Sequence, residues 1–140
     1  AENISYTDPS WYARQGYLVV VQDVRGTAAS DGEFVPFQYE AEDGYDTIEW
    51  AARLPGANGK VGMYGFSYAG ATQLLPATLR PPSLVTICPA MTASQYYDGW
   101  TYQGGALSLA FVMSWATQLA GGQARTAKDP AAIAAAVPAP

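Results

Sequence analysis

Three short apolar runs punctuate the first part of the chain. Residues 17–22 (Tyr-Leu-Val-Val-Val-Gln) form a β-branched run with Gly16 in front and the loop Arg25-Gly26-Thr27 behind. Without polar alternation, such a run reads as a strand buried on both faces, as in a parallel sheet. The loop continues through the turn-rich cluster Ser30-Asp31-Gly32. Residues 60–64 predict a second short strand, and Leu84 to Cys88 a third buried one.

Helical patterns separate these runs. From about Tyr39 to Leu54, Ala41, Tyr45, Ile48 and Ala52 recur at helical spacing, and Glu40, Glu42 and Asp43 lie in the opening turns, where the helix dipole favours negative charge. Pro55-Gly56 ends this helix, and Asn58-Gly59 marks the following turn. Gly65 to Gly70 reads as a tight turn. A helix from Ala69 to about Leu79 follows, stressed near Pro76 and stopped by Pro81-Pro82. Strand, helix, strand, helix, strand implies right-handed crossovers and a parallel sheet, an α/β fold.

After Met91 the pattern changes. Tyr96, Tyr97, Trp100 and Tyr102 crowd a loop around Gly99 and Gly104-Gly105. Ala106 to Leu119 predicts a helix ended by Gly121-Gly122, and Ala131 to Ala136 is only marginally helical. A boundary near residue 91 divides the chain into an α/β part, 1–91, and a second unit, 92–140. No internal repeat is present.

Composition narrows the function classes. At 140 residues, with 49% apolar and 14% charged residues, the chain is long enough for one folded core. Ten Tyr and four Trp point to an aromatic pocket as well as to ordinary packing. The net charge of −5, without a Lys/Arg cluster, argues against nucleic acid as a partner. No stretch approaches the roughly 20 apolar residues of a membrane span, so no membrane partner is expected. Cys88, the single cysteine, lies in an apolar run and is expected to be a buried structural thiol. With no histidine and no cysteine pair, no metal and no cofactor is expected. The chain opens without a signal segment, lacks an initiating Met and ends in Pro138-Ala139-Pro140. A processed or truncated piece is therefore expected. Its termini do not report on compartment, and a cytoplasmic setting is the default.

The chemistry lies in Lys60-Val-Gly-Met-Tyr-Gly-Phe-Ser67-Tyr-Ala-Gly70. A serine among glycines, after a strand and before a helix, is the context of a nucleophile elbow. The turn is so sharp that the serine backbone is strained, and its neighbours must be small to let strand and helix approach. Ser67 Oγ would stand beyond the carboxyl end of the sheet, where ligands bind in open α/β folds. The Tyr68 N–H, at the start of the helix, would meet the oxyanion formed when Ser67 attacks a carbonyl. The usual pattern is Gly-x-Ser-x-Gly; here Ala69 takes the last place and Gly70 follows one position late. A serine hydroxyl needs a base, normally histidine oriented by an acid, and this chain has no histidine. Asp23 precedes the serine and reads as a loop-structuring residue with Arg25. Asp98 lies in the aromatic segment and is a poor triad acid. The acids of the 39–54 helix read as a solvated face.

Several segments are together similar to one family. Gly16-Tyr17, Gln22-Asp23-Val24-Arg25-Gly26, Ser30-Asp31-Gly32-Glu33-Phe34, the elbow, and Trp100 through Gly104-Gly105-Ala106-Leu107 resemble the cocaine-esterase branch of the X-prolyl dipeptidyl aminopeptidase-like serine hydrolases. The resemblance runs in register from about Trp11 to Trp115. It implies an α/β-hydrolase core interrupted by a helical cap, so that 1–91 is part of the core and 92–140 the beginning of the cap. It also implies Ser67 as nucleophile, the Tyr68 N–H as one oxyanion donor, and Trp100 and Trp115 as acyl-pocket residues. The family's second oxyanion donor, a tyrosine hydroxyl, falls before residue 1, and its acid and histidine fall beyond residue 140.

The expected function is that of a serine acyl hydrolase of esterase or amidase type. Its partner would be a small ester or amide with an apolar acyl group flanked by Trp100 and Trp115. Branches that bind a substrate ammonium need an acidic cluster, and only Asp98 is near, which favours a neutral acyl group. The alternatives are an X-prolyl dipeptidyl-peptidase or acylase-type hydrolase, and a non-catalytic truncated homologue serving as a binding or assembly module. Self-association through uncovered sheet surfaces is a further expectation.

Overall fold

The computed structural model describes residues 8–126. It opens with a short helix that no periodicity announces, α1 (Pro9–Arg14). Asp8 caps it, accepting the Ser10 N–H at 2.9 Å, and Pro9 takes the first helical position, where no donor is needed. Tyr12 lays its ring against Tyr64, with centroids 4.7 Å apart.

Residues 17–22, expected as a buried strand, carry no strand ladder, and Tyr17, Leu18, Val20 and Val21 are exposed. Apolar composition favours extended backbone, but a strand exists only through hydrogen bonds to a neighbour. Among the described residues no strand pairs with this run.

Helix α2 (Glu40–Ala51) follows, within its expected span. Strand β1 (Val61–Phe66), helix α3 (Tyr68–Thr78) and strand β2 (Leu84–Ala90) then form a parallel βαβ unit. Gly62 pairs with Thr86 and Tyr64 with Cys88. The core lies where α2 meets α3 and α3 meets the sheet, around the buried Ile48, Ala71, Gln73 and Pro76. Gly44 lets the helices approach, since a Cβ there would lie 2.7 Å from Pro76 Cγ. Gln73 joins three elements: its Nε2 donates to Ala69 O at 2.6 Å and Gly65 O at 3.4 Å, and its Oε1 accepts the Cys88 N–H at 3.0 Å.

β2 was expected to be buried, and it is not. Val85 is 59% exposed, and Cys88 is exposed rather than a buried thiol. Helix α3 covers one face of the sheet, with α2 packed on α3, and among the described residues little covers the other.

Beyond β2 a loop leads to a small hairpin, β3 (Tyr102–Gln103) and β4 (Ala106–Leu107), and then to helix α4 (Leu109–Thr126). α4 was expected from Ala106 to Leu119. It starts later because Ala106 and Leu107 pair with the hairpin, and it runs through Gly121-Gly122. Two glycines at about 1 kcal/mol each do not end a helix that the flanking residues sustain. Among the described residues no helix is long and apolar enough to cross a membrane. The marginal segment 131–136 lies outside them.

Candidate active site

β1 runs through Gly65-Phe66 into Ser67, which caps α3 with φ 58° and ψ −119°. A non-glycine residue there costs on the order of 1–3 kcal/mol and persists only where its surroundings over-determine it. Here they do. The Ser67 N–H donates to Ala90 O at 2.8 Å, while Ser67 O accepts the N–H of Gly70 at 2.8 Å and of Ala71 at 3.2 Å. A Cβ at Gly65 would lie 2.7 Å from Ala69 Cβ, and one at Gly70 would lie 2.7 Å from Thr92 Cγ2. Glycine is therefore required at 65 and 70, and a small residue at 69. The Ser67 side chain makes no capping hydrogen bond. Tyr68 is the first residue of α3, so its N–H belongs to the first-turn donors that lack an intrahelical partner, at the positive end of the helix dipole.

The Tyr68 side chain carries a second feature. Its hydroxyl donates to Glu40 Oε1 and accepts the Phe37 N–H at 3.1 Å. Glu40 is buried, and its Oε2 accepts the Tyr39 N–H at 3.1 Å. Burial, and then the bond to Glu40, push the Tyr68 phenol far above the usual tyrosine range. Glu40 was expected on a solvated face; its two donors allow its burial instead. Of the other acids of α2, Glu42 and Asp46 are exposed as expected, whereas Asp43 and Glu49 are committed to partners. Asp43 pairs with Arg25, and Glu49 accepts from Ser83 N at 2.9 Å and Ser83 Oγ at 3.1 Å.

Phe37 stands at the centre of an aromatic cluster. Its ring stacks on Tyr68 at 4.9 Å and on Trp115 at 5.7 Å, and meets Tyr96 at 4.6 Å and Trp100 at 6.2 Å. Trp100 and Trp115 touch edge to face at 6.4 Å. The structure thus brings both tryptophans together around Phe37, which stacks on the residue that follows Ser67, but in mutual contact rather than across a gap. The Thr92 and Tyr96 hydroxyls are buried next to each other, and neither makes a hydrogen bond of good geometry. Burial pushes the Tyr96 phenol up.

Asp23 and Asp98 both lie in loop segments. Asp23 accepts from Ala29 N at 3.5 Å, with Arg25 turned to Asp43 instead. Asp98 is exposed and bridges to Tyr102. Among the described residues no group of three or more His, Cys, Asp or Glu could hold a metal.

The sequence profile of the X-Pro dipeptidyl-peptidase (S15) family matches residues 1–138. The chain belongs to that family. It is 38% identical over 119 residues to the cocaine esterase of Rhodococcus sp. (strain MB1 Bresler), a match covering 84% of this chain and 21% of the esterase. A CocE/NonD family hydrolase from Staphylococcus aureus superposes with a TM-score of 0.64 at 36% identity, covering 75% of this chain and 18% of that one. An aminopeptidase from a marine sediment Thaumarchaeota archaeon gives 0.60 at 28% identity, covering 80% and 20%. The chain therefore spans about a fifth of these relatives, and its architecture is that of an α/β-hydrolase segment.

Within this S15 segment, sequence reasoning found the turn and both tryptophans but missed Phe37, Glu40, Thr92 and the Tyr68 side chain. Phe37 follows Pro36 in a loop without periodicity, so nothing local marks it. Glu40 had a local signal, but its position in the first helical turn pointed to the dipole rather than to a partner across the fold.

Proposed function

We propose that this chain carries the nucleophile elbow of a serine acyl hydrolase acting on an ester or amide. The observation that carries the reading is Ser67, a non-glycine residue at φ 58° between a strand and a helix, with its side chain uncommitted to the cap. Such strain gives no structural return unless the hydroxyl is needed where it stands.

Ser67 Oγ would attack the substrate carbonyl while its proton passes to a base. The Tyr68 N–H and the dipole of α3 would stabilise the tetrahedral oxyanion. Collapse would expel the leaving group with that proton and leave an acyl-enzyme, which water hydrolyses. The chain has no histidine, so the base must come from outside these residues. The resemblance implies an acid and a histidine further along a longer protein, with residues 1–91 part of its core and 92–140 the start of its cap. Trp100 and Trp115 would line the acyl pocket. The substrate would be a small molecule with a neutral, apolar acyl group, because only Asp98 offers charge near the aromatic segment. The chain on its own would associate through the bare face of β2.

The missing histidine favours one other reading for the chain as it stands, a binding or assembly module without catalysis. A fluorophosphonate probe separates the two. In the complete protein it should label Ser67 and fail on Ser67→Ala. Labelling that persists in the alanine variant removes the nucleophile assignment. The isolated 140 residues should show negligible turnover of a p-nitrophenyl ester.

A further inference from the structure

We infer that Phe37 limits the acyl pocket to short, non-aromatic acyl groups. This rests on the reading of Ser67 as nucleophile and deepens it. Carbon atoms in contact sit about 3.5–4.0 Å apart, so a flat group held between two ring faces needs roughly 7 Å or more between them. The three rings that would receive it leave less. Phe37 and Trp115 stack with centroids 5.7 Å apart, short of that gap, and Trp100 meets Trp115 and Phe37 edge to face at 6.4 and 6.2 Å, so no two facing rings stand open. Phe37 therefore occupies the volume that an aromatic acyl group would fill, and Tyr96 closes over it at 4.6 Å.

Phe37 is held there against its own backbone preference. It sits at φ 64°, a conformation that is an outlier for a bulky residue. Its N–H bond to the Tyr68 hydroxyl and its stack on the Tyr68 ring keep it in place. The same Tyr68 follows Ser67 in the chain, so the ring that sets pocket depth is anchored to the elbow itself. An acetyl or propionyl group lies against the outer edge of this cluster, and a benzoyl group finds its place taken.

The test compares p-nitrophenyl acetate and p-nitrophenyl benzoate on the complete protein, each kcat/KM divided by the rate of that ester with hydroxide. The wild type should favour acetate by at least about tenfold. Phe37→Gly removes the ring and suits the positive φ; it should raise the benzoate-to-acetate ratio about tenfold or more. Phe37→Leu, which keeps an apolar side chain should glycine loosen the loop, should raise the ratio by less. A wild type that prefers benzoate, or variants that lower both esters in equal proportion, overturns the inference. The ratio is defined whichever residue attacks. Loss of hydrolysis in Ser67→Ala with an unmoved ratio in the Phe37 variants defeats this inference alone; hydrolysis that survives Ser67→Ala defeats the nucleophile reading instead.

Discussion

Tyr68 and Glu40 meet across the junction of α2 and α3, the phenol donating to a carboxylate that is only 7% exposed. The pair joins the helix that begins at Ser67 to the helix in front of it. Through the Phe37 N–H it also ties down the loop that leads into α2. A buried carboxylate without a cation is held by the donors it faces, and here these are a phenol and the Tyr39 N–H. Removing any one of them leaves another polar group buried without a partner.

Glu40 should therefore be sensitive even to a near-isosteric change. In Glu40→Gln one side-chain oxygen remains and the NH2 must face either the Tyr39 N–H, a donor, or the Tyr68 hydroxyl, which can accept it only by leaving its own proton without an acceptor. A loss of about 1–3 kcal/mol in denaturant stability is expected, with a similar loss in Glu40→Ala. If the pair also positions the elbow, kcat should fall more than KM changes, and Glu40→Asp should recover part of it. Equal stability of Glu40→Gln and wild type would show that the buried bond contributes nothing.

The raised Tyr68 phenol makes stability depend on pH at the alkaline end. Tyrosine in the unfolded chain titrates near pH 10, and the folded group, shifted upward by burial and by the bond to Glu40, keeps its proton longer. Above about pH 10 the folded state binds more protons than the unfolded one, so stability falls as pH rises. Tyr64 and Tyr96 shift in the same direction, again through burial first. Melting temperatures between about pH 9 and 11 should fall steeply in the wild type and less steeply in Tyr68→Phe. Parallel curves would mean that Tyr68 is not held in this way.

What the sequence revealed was decided by the range of the forces involved. The elbow at Ser67 was legible because the residues that shape it, Gly65, Ala69 and Gly70, are near neighbours in the chain and the constraint on each is steric. Helix α2 was legible for the same reason, from the spacing of Ala41, Tyr45 and Ile48. The run 17–22 misled because β propensity reports a side chain's fit to a sheet, not the presence of the neighbouring strand. Cys88 misled similarly: an apolar run says that burial is favourable, and the fold decides whether something covers it. The roles of Glu40 and Phe37 depend on a partner about 30 residues away in the chain, the Tyr68 hydroxyl, and no local pattern encodes such a pairing.

Strain at Ser67 can be measured by separating activity from stability. Ser67→Ala and Ser67→Gly both remove the hydroxyl, so both should abolish probe labelling. Glycine adopts φ 58° without a Cβ penalty, whereas alanine keeps the strain. Ser67→Gly should therefore be about 1 kcal/mol more stable than Ser67→Ala, even after the entropy that glycine gains in the unfolded chain. An alanine variant as stable as the glycine one would show that the turn is relaxed, and with it would go the argument that the backbone is held for function.

Gly44 tests the packing that carries α3, and with it the elbow, against α2. It sits mid-helix, where alanine would be favoured by about 1 kcal/mol on helix propensity alone. The added Cβ would lie 2.7 Å from Pro76 Cγ and 2.8 Å from Pro76 Cβ. Both are atoms of a rigid ring that is itself buried inside α3, so neither can swing away as a flexible side chain would. Overpacking of this kind costs about 1–3 kcal/mol, enough to outweigh the propensity gain. Gly44→Ala should thus lower the denaturation midpoint, and pairing it with Pro76→Ala, which trims the ring, should recover part of the loss. If Gly44→Ala alone raises the midpoint, the two helices do not cross as closely as this contact requires.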